Sequence, residues 1–184
     1  MKLLPFILTL CLFCLSCSKK ETSTQPIVGE NTITALDKYT TVSAMAAARD
    51  SSLRLLGISG SDVDSLGRSQ SWSYMYCRNV LPEQCAYFTA FHDSVRFDSL
   101  SSGILIGIAM IGHTWMNSNQ ALQIAESNQG KTFRQSFPSC VVYASLREPV
   151  VPNTTTYWYV TYRSKTDATK SLSLTIDANT GKIS

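Results

Sequence analysis

The chain has 184 residues, 44% of them hydrophobic and 16% charged, and a formal net charge of +3. Lys2 is the only charged side chain in residues 1–16, so the remainder carries 15 basic and 13 acidic groups, and Lys19-Lys20 is its one basic doublet. So small and scattered an excess gives no support to nucleic-acid binding or to electrostatic adsorption on an anionic membrane, and the length allows one domain or two small ones.

Residues 1–16 read as a secretory leader. One lysine precedes an apolar run from Leu3 to Leu15 that ends on a small residue, and the run is too short to span a bilayer as a mature helix. Cys14-Leu15-Ser16-Cys17, followed by Ser-Lys-Lys-Glu, resembles a bacterial lipoprotein precursor. The resemblance implies cleavage before Cys17, attachment of acyl chains such as palmitate there, and a lipid-anchored protein on a membrane of the cell envelope, on its periplasmic or outer side. A plain secreted protein cleaved nearby is the alternative, and both readings place the mature chain outside the cytoplasm. Residues 17–34 are polar, contain Pro26 and Gly29 and lack periodicity, so they read as a flexible tether.

From Ala35 the chain reads as one unit written twice, with a first helix-plus-sheet repeat over 35–100, an apolar connector over 101–116 and a clearer second repeat over 117–184. In the first, Asp37–Leu56 is expected to be a helix with Val42, Met45, Ala46, Leu53 and Leu56 on one face, stopped by Gly57. Trp72–Cys77 and Ala86–Asp93 follow as strands around a turn at Pro82. The connector holds Ile104–Ile111, an apolar run read as a buried strand or a core-packing link. In the second, Asn117 and Gln120 form a capping box, Ala121, Leu122 and Ala125 supply an apolar stripe, and Asn128-Gln129-Gly130 ends the helix. Cys140–Leu146 is rich in β-formers, and Pro149 and Pro152 break it.

Tyr157–Ile183 closes the chain as a β-hairpin. Trp158, Val160 and Tyr162 alternate with Tyr159 and Thr161, and beyond the polar turn Ser164–Lys170, Leu172, Leu174 and Ile176 alternate with Ser173 and Thr175. Period-2 alternation on both arms predicts one buried and one wet face. Trp72 to Asp93 spans 21 positions and Trp158 to Asp177 spans 19, so aligning them places Phe88, Ala90 and His92 on the core positions of Leu172, Leu174 and Ile176. The first copy has Asp93-Ser-Val where the second has Asp177-Ala-Asn-Thr-Gly.

A helix followed by Trp158, Val160, Tyr162, Leu174, Ile176, Asp177, Ala178, Thr180, Gly181 and Ile183 resembles the PepSY family of small extracytoplasmic domains. Ala121 and Ala125 sit where that family has small residues packing on its sheet. Two such units in tandem resemble the architecture of β-lactamase inhibitor proteins. The resemblance implies an α+β fold of two helix-plus-antiparallel-sheet repeats, and protein binding or peptidase inhibition as function. These motifs maintain a fold and do not by themselves specify an activity.

Cys77 and Cys85 flank the expected turn, and in an oxidising compartment they are candidates for a cross-hairpin disulfide; the alternative is two small apolar strand residues. Cys140 is left over and is expected to be buried in its strand. With only His92 and His113, and no knuckle spacing of cysteines, no metal site is expected. Asp62-Val-Asp64-Ser65 lacks the glycine and distal glutamate of a calcium loop and reads as a polar turn. The chain has no Gly-x-Ser-x-Gly elbow and no phosphate-cradling glycine motif, so no catalytic residue, cofactor or enzyme activity is expected. Asp64-Ser-Leu, Asp93-Ser-Val and Asp98-Ser-Leu resemble acceptor tripeptides of some periplasmic O-glycosylation systems. Tyr157 and Tyr159 face away from the hairpin's core side, as interface anchors or as a layer covered by the other repeat. The expected function is a non-enzymatic envelope lipoprotein that binds an envelope protein or inhibits a peptidase. A structural lipoprotein without a specific ligand is the runner-up, and a hydrolase with a dispersed site comes third.

Overall fold

Alternating apolar residues generate seven strands that join into one antiparallel sheet in a computed structural model describing residues 29, 31–78, 84–102, 110–112, 114–147 and 154–184. The elements are α1 (Tyr39–Arg49), β1 (Arg54–Gly60), β2 (Ser71–Arg78), β3 (Gln84–Phe91), β4 (Val95–Ser102), α2 (Ser118–Ala125), α3 (Lys131–Ser136), β5 (Cys140–Arg147), β6 (Tyr157–Ser164) and β7 (Ser171–Asp177). The strand order is β4-β3-β2-β1-β5-β6-β7, so β1 and β5 meet in the middle and each half runs outward in chain order. The leader, Cys17, the first part of the tether, the Pro82 turn, residues 104–109 of the apolar run, His113, Pro149 and Pro152 lie outside the described residues.

The helices lie on one face of the sheet, which makes the fold α+β. Val42 and Ala46 of α1 and Ala121, Leu122 and Ala125 of α2 share a single buried cluster with Trp72, Tyr74, Phe88, Trp158, Val160, Tyr162 and Ile176. Both halves therefore contribute to one core. Trp72 and Trp158 meet edge to face at its centre, with ring centroids 6.0 Å apart. Each indole donates to a carbonyl just ahead of its own half's helix, Trp72 Nε1 to Ile33 O at 2.8 Å and Trp158 Nε1 to Met116 O at 2.9 Å. A large aromatic buried with its N–H satisfied ties sheet to helix in both halves.

The second half follows its sequence pattern closely. Asn117 and Gln120 form the capping box. Asp177 Oδ1 accepts from the amides of Asn179 and Thr180, and these bonds, led by that to Asn179, hold its carboxyl below the usual range. Gly181 has φ +76°, a left-handed position that glycine takes without strain. The helix ending is more elaborate than expected. Asn128 and Gln129 leave helical geometry, Gln129 with φ +103°, and the chain then resumes as α3. Gly130 is a packing requirement rather than a terminator, since a Cβ there would run into the Tyr162 hydroxyl.

The first half departs further. Helix α1 stops at Arg49, not Leu56, because Asp50 Oδ1 accepts from both the amide and the hydroxyl of Ser52, giving the backbone a local alternative to the helix. Leu53 is buried in the turn, and Leu56 and Gly57 belong to β1. His92 does not reach the core: β3 ends at Phe91 and His92 is exposed in the following turn. The chain then adds β4, a strand that the pattern did not reveal, so the expected boundary at residue 100 cuts through it. Its pairs Phe88–Phe97 and Tyr87–Ser99 leave Asp98 as a bulge on the sheet edge, a device that discourages further strand addition. The expected tether also ends early, since Ile33 is buried and bridges to Ser69.

Cys77 and Cys85 stand directly opposite each other on β2 and β3 and are joined by a disulfide. Closing this short loop is expected to contribute about 2–3 kcal/mol by the chain-entropy argument. Urea unfolding with and without reductant measures it, and non-reducing peptide mapping identifies the pair. Free thiols at both positions, or pairing of either with Cys140, would contradict the assignment.

Candidate functional site

The face of the sheet opposite the helices carries no covering helix or strand among the described residues. One register crosses all seven strands as Ser99, Tyr87, Met75, Gly57, Arg147, Tyr157 and Asp177. The neighbouring register reads Thr89, Ser73, Ser59, Ser145, Tyr159 and Thr175. Small residues thus occupy the centre of both rows, flanked by Met75 and Tyr87 on one side and by Arg147, Tyr157 and Tyr159 on the other. The result is an open groove of about 380 Å³ with Gly57, Ser59 and Ser73 in its floor, Met75 and Tyr87 on one wall and Arg147 on the other.

Local sequence explains each wall. Leu56 bulges out of register between Leu55 and Gly57, which turns it onto this face beside Cys77 and Cys85. Met75, Tyr87 and Met110 pack against those three, so the disulfide and bulge together fix the apolar wall. On the opposite side, Arg147 pairs across the strands with Gly57 and Tyr157, and among the described residues it makes no salt bridge.

Tyr157 and Tyr159 lie beyond Arg147 on the same face, their rings 6.4 Å apart. Tyr157 is half-buried, whereas Tyr159 is 38% exposed and Tyr143, on β5, 45% exposed. The expectation that both β6 tyrosines face away from the core holds, and among the described residues the first half does not cover them, because the two halves sit side by side in one sheet. Tyr143, Arg147, Met75, Tyr87 and Gly57 were missed by sequence reasoning. The alternation of Val142, Ala144 and Leu146 with Tyr143 and Ser145 already marks Tyr143 as outward-facing. Gly57 carries no such signal, because beside an expected helix it reads as a stop.

The polar groups on the core side do structural work. Glu126 Oε1 accepts from Tyr162 OH at 2.9 Å and from Arg134 Nε at 2.7 Å, and Arg134 also donates to Val63 O. Burial pushes the phenols of Tyr74, Tyr76 and Tyr162 well above their ordinary range, so they stay protonated hydrogen-bond partners. The free Cys140 is only partly buried, not fully as expected, because it is the first residue of β5; that partial burial still raises its thiol and suppresses the nucleophilic thiolate. Asp64 forms a turn, accepting from the amides of Leu66 and Arg68. No group of three or more His, Cys, Asp or Glu side chains that could hold a metal ion occurs among the described residues.

Comparison with family models, curated proteins and solved structures finds no match to the chain.

Proposed function

We propose that the chain is a non-enzymatic binding module of the bacterial cell envelope, tethered through acylated Cys17, which engages an envelope protein or peptidase with the open face of its sheet. The observation that carries this reading is the face itself. Exposed Tyr143 and Tyr159 share a face with a groove that has a fixed apolar wall and an arginine making no ion pair among the described residues. Tyrosine and arginine are the residue types that anchor protein interfaces. The outward strand order of the two halves and the matching roles of Trp72 and Trp158 support a tandem PepSY-like architecture. The leader ending in Leu15-Ser16-Cys17 supports the lipid anchor.

Cross-linking in intact envelopes tests both parts. Wild type is expected in the membrane fraction and Cys17→Ala in the soluble one. A cross-linked species is expected with wild type and with the remote surface variant Leu66→Ser, and to be lost in Tyr143→Ser/Tyr159→Ser. Equal cross-linking by all three would exclude this face as the binding surface. Retention of Cys17→Ala in washed membranes would exclude the anchor.

A further inference from the structure

We propose that the groove over Gly57 is the anchor pocket of this face, receiving an apolar side chain of a partner protein that is followed by an aspartate or glutamate bound to Arg147. This rests on the binding-face reading and adds the chemistry of the partner.

Gly57 is the first argument. Glycine inside a strand costs stability, because it loses more backbone entropy than other residues and packs no side chain. The other well-packed glycines are required by the fold. A Cβ on Gly60 would press on the Trp72 ring at 2.9 Å, one on Gly130 would strike Tyr162, and Gly67 and Gly181 have positive φ. At Gly57 φ is not positive, so it is not the left-handed glycine of a G1 bulge. A Cβ there would meet only Leu146 O at 3.5 Å and the Met75 methyl at 3.9 Å, which is ordinary contact. Backbone geometry and space would both accept a Cβ at this position. What glycine provides is the open groove.

The walls supply the second argument. The Met75 thioether and the Tyr87 ring form an adaptable apolar surface, held by the disulfide-linked corner. At about 380 Å³ the groove can take one large side chain and its flanking backbone. Arg147 stands on the opposite wall, without a salt bridge among the described residues and in register with Gly57. A planar guanidinium beside an apolar slot complements a carboxylate next to an apolar side chain. Tyr157 and Tyr159 lie on the same face beyond the Arg147 wall, which suits an extended segment of a larger partner better than an isolated small molecule.

The five methionines give a direct readout, since Met75 lies in the groove and Met45 and Met116 pack on the core side. Titrating methyl-labelled protein with acetyl-Gly-Phe-Asp-Gly-amide is expected to shift the Met75 methyl resonance saturably and leave Met45 and Met116 in place. The peptide with Ala for Phe is expected to leave Met75 unmoved. The peptide with Asn for Asp should bind about tenfold more weakly, the size of one lost charged hydrogen bond. Arg147→Gln should weaken the Phe-Asp peptide about tenfold and leave the Phe-Asn peptide unchanged, which closes a double-mutant cycle. Gly57→Val should abolish the Met75 shift with the thermal midpoint unchanged or raised; if that variant does not fold, Gly57→Ala, with reduced binding expected, replaces it. An unmoved Met75, equal binding of all three peptides, or full binding by the filled groove overturns the proposal. If cross-linking still depends on Tyr143 and Tyr159 in that case, the binding face stands and the anchor assignment alone fails.

Discussion

Trp158→Ala is expected to destabilise the protein by about 3–5 kcal/mol, the range for removing a large buried aromatic. The side chain is fully buried and makes edge contacts with Trp72 at 6.0 Å and Trp115 at 6.3 Å. Its indole N–H also donates to Met116 O, next to the cap of α2. Truncation therefore opens a cavity at the junction of the two halves and leaves a backbone acceptor without its partner. Trp158→Phe loses the donor but keeps most of the ring volume, so a smaller loss is expected. Urea denaturation followed by circular dichroism measures both. A loss for Trp158→Ala below about 1 kcal/mol would show that Trp158 is not the central packing element.

The second large effect is expected at a glycine. Gly67→Ala should cost about 2–5 kcal/mol, combining left-handed strain of about 1–2 with overpacking of about 1–3. Gly67 is buried at φ +74°, and a Cβ there would collide with the backbone of Ser118 and Asn119. The site is also a hub. Ser118 Oγ donates to Gly67 O at 2.7 Å and accepts from Ala35 N at 2.9 Å, which joins the β1–β2 loop, the start of α2 and the segment before α1. Gly57→Ala is the matched control, because its Cβ meets nothing closer than 3.5 Å. Thermal unfolding should separate the two variants, with Gly67→Ala melting well below wild type and Gly57→Ala at or above it. Equal midpoints would mean that the loop relaxes freely around residue 67.

Several features were legible because their cause is local. The alternation of Trp158, Val160 and Tyr162 and of Leu172, Leu174 and Ile176 is a period-2 signal, and both strands form with those residues inward. Asn117 and Gln120 cap α2 with groups three residues apart, and Asp177 and Gly181 make their turn within five. Cys77 and Cys85 pair because a hairpin places them in register. Tyr157 and Tyr159 face outward for the same reason that Trp158 faces inward.

Where a local signal competed with a distant contact, sequence reading failed. Leu53 and Leu56 continue the apolar spacing of α1, yet the Asp50–Ser52 bonds end the helix and β1 is drawn into the sheet between β2 and β5. β4 has no clean alternation, because the bulge at Asp98 breaks its period and most of the strand is exposed. Gly130 looks like a helix stop until Tyr162, 32 positions later, lands against it. The proposed binding face shows the limit most clearly. Gly57, Met75, Tyr87 and Arg147 lie on four strands, and only the pairing of β1 with both β2 and β5 brings them to one groove. Periodicity says which side of a strand a residue faces. Which strands become neighbours depends on burying both halves' apolar faces, with Trp72 against Trp158, in one core, and that contact exists only in the folded chain.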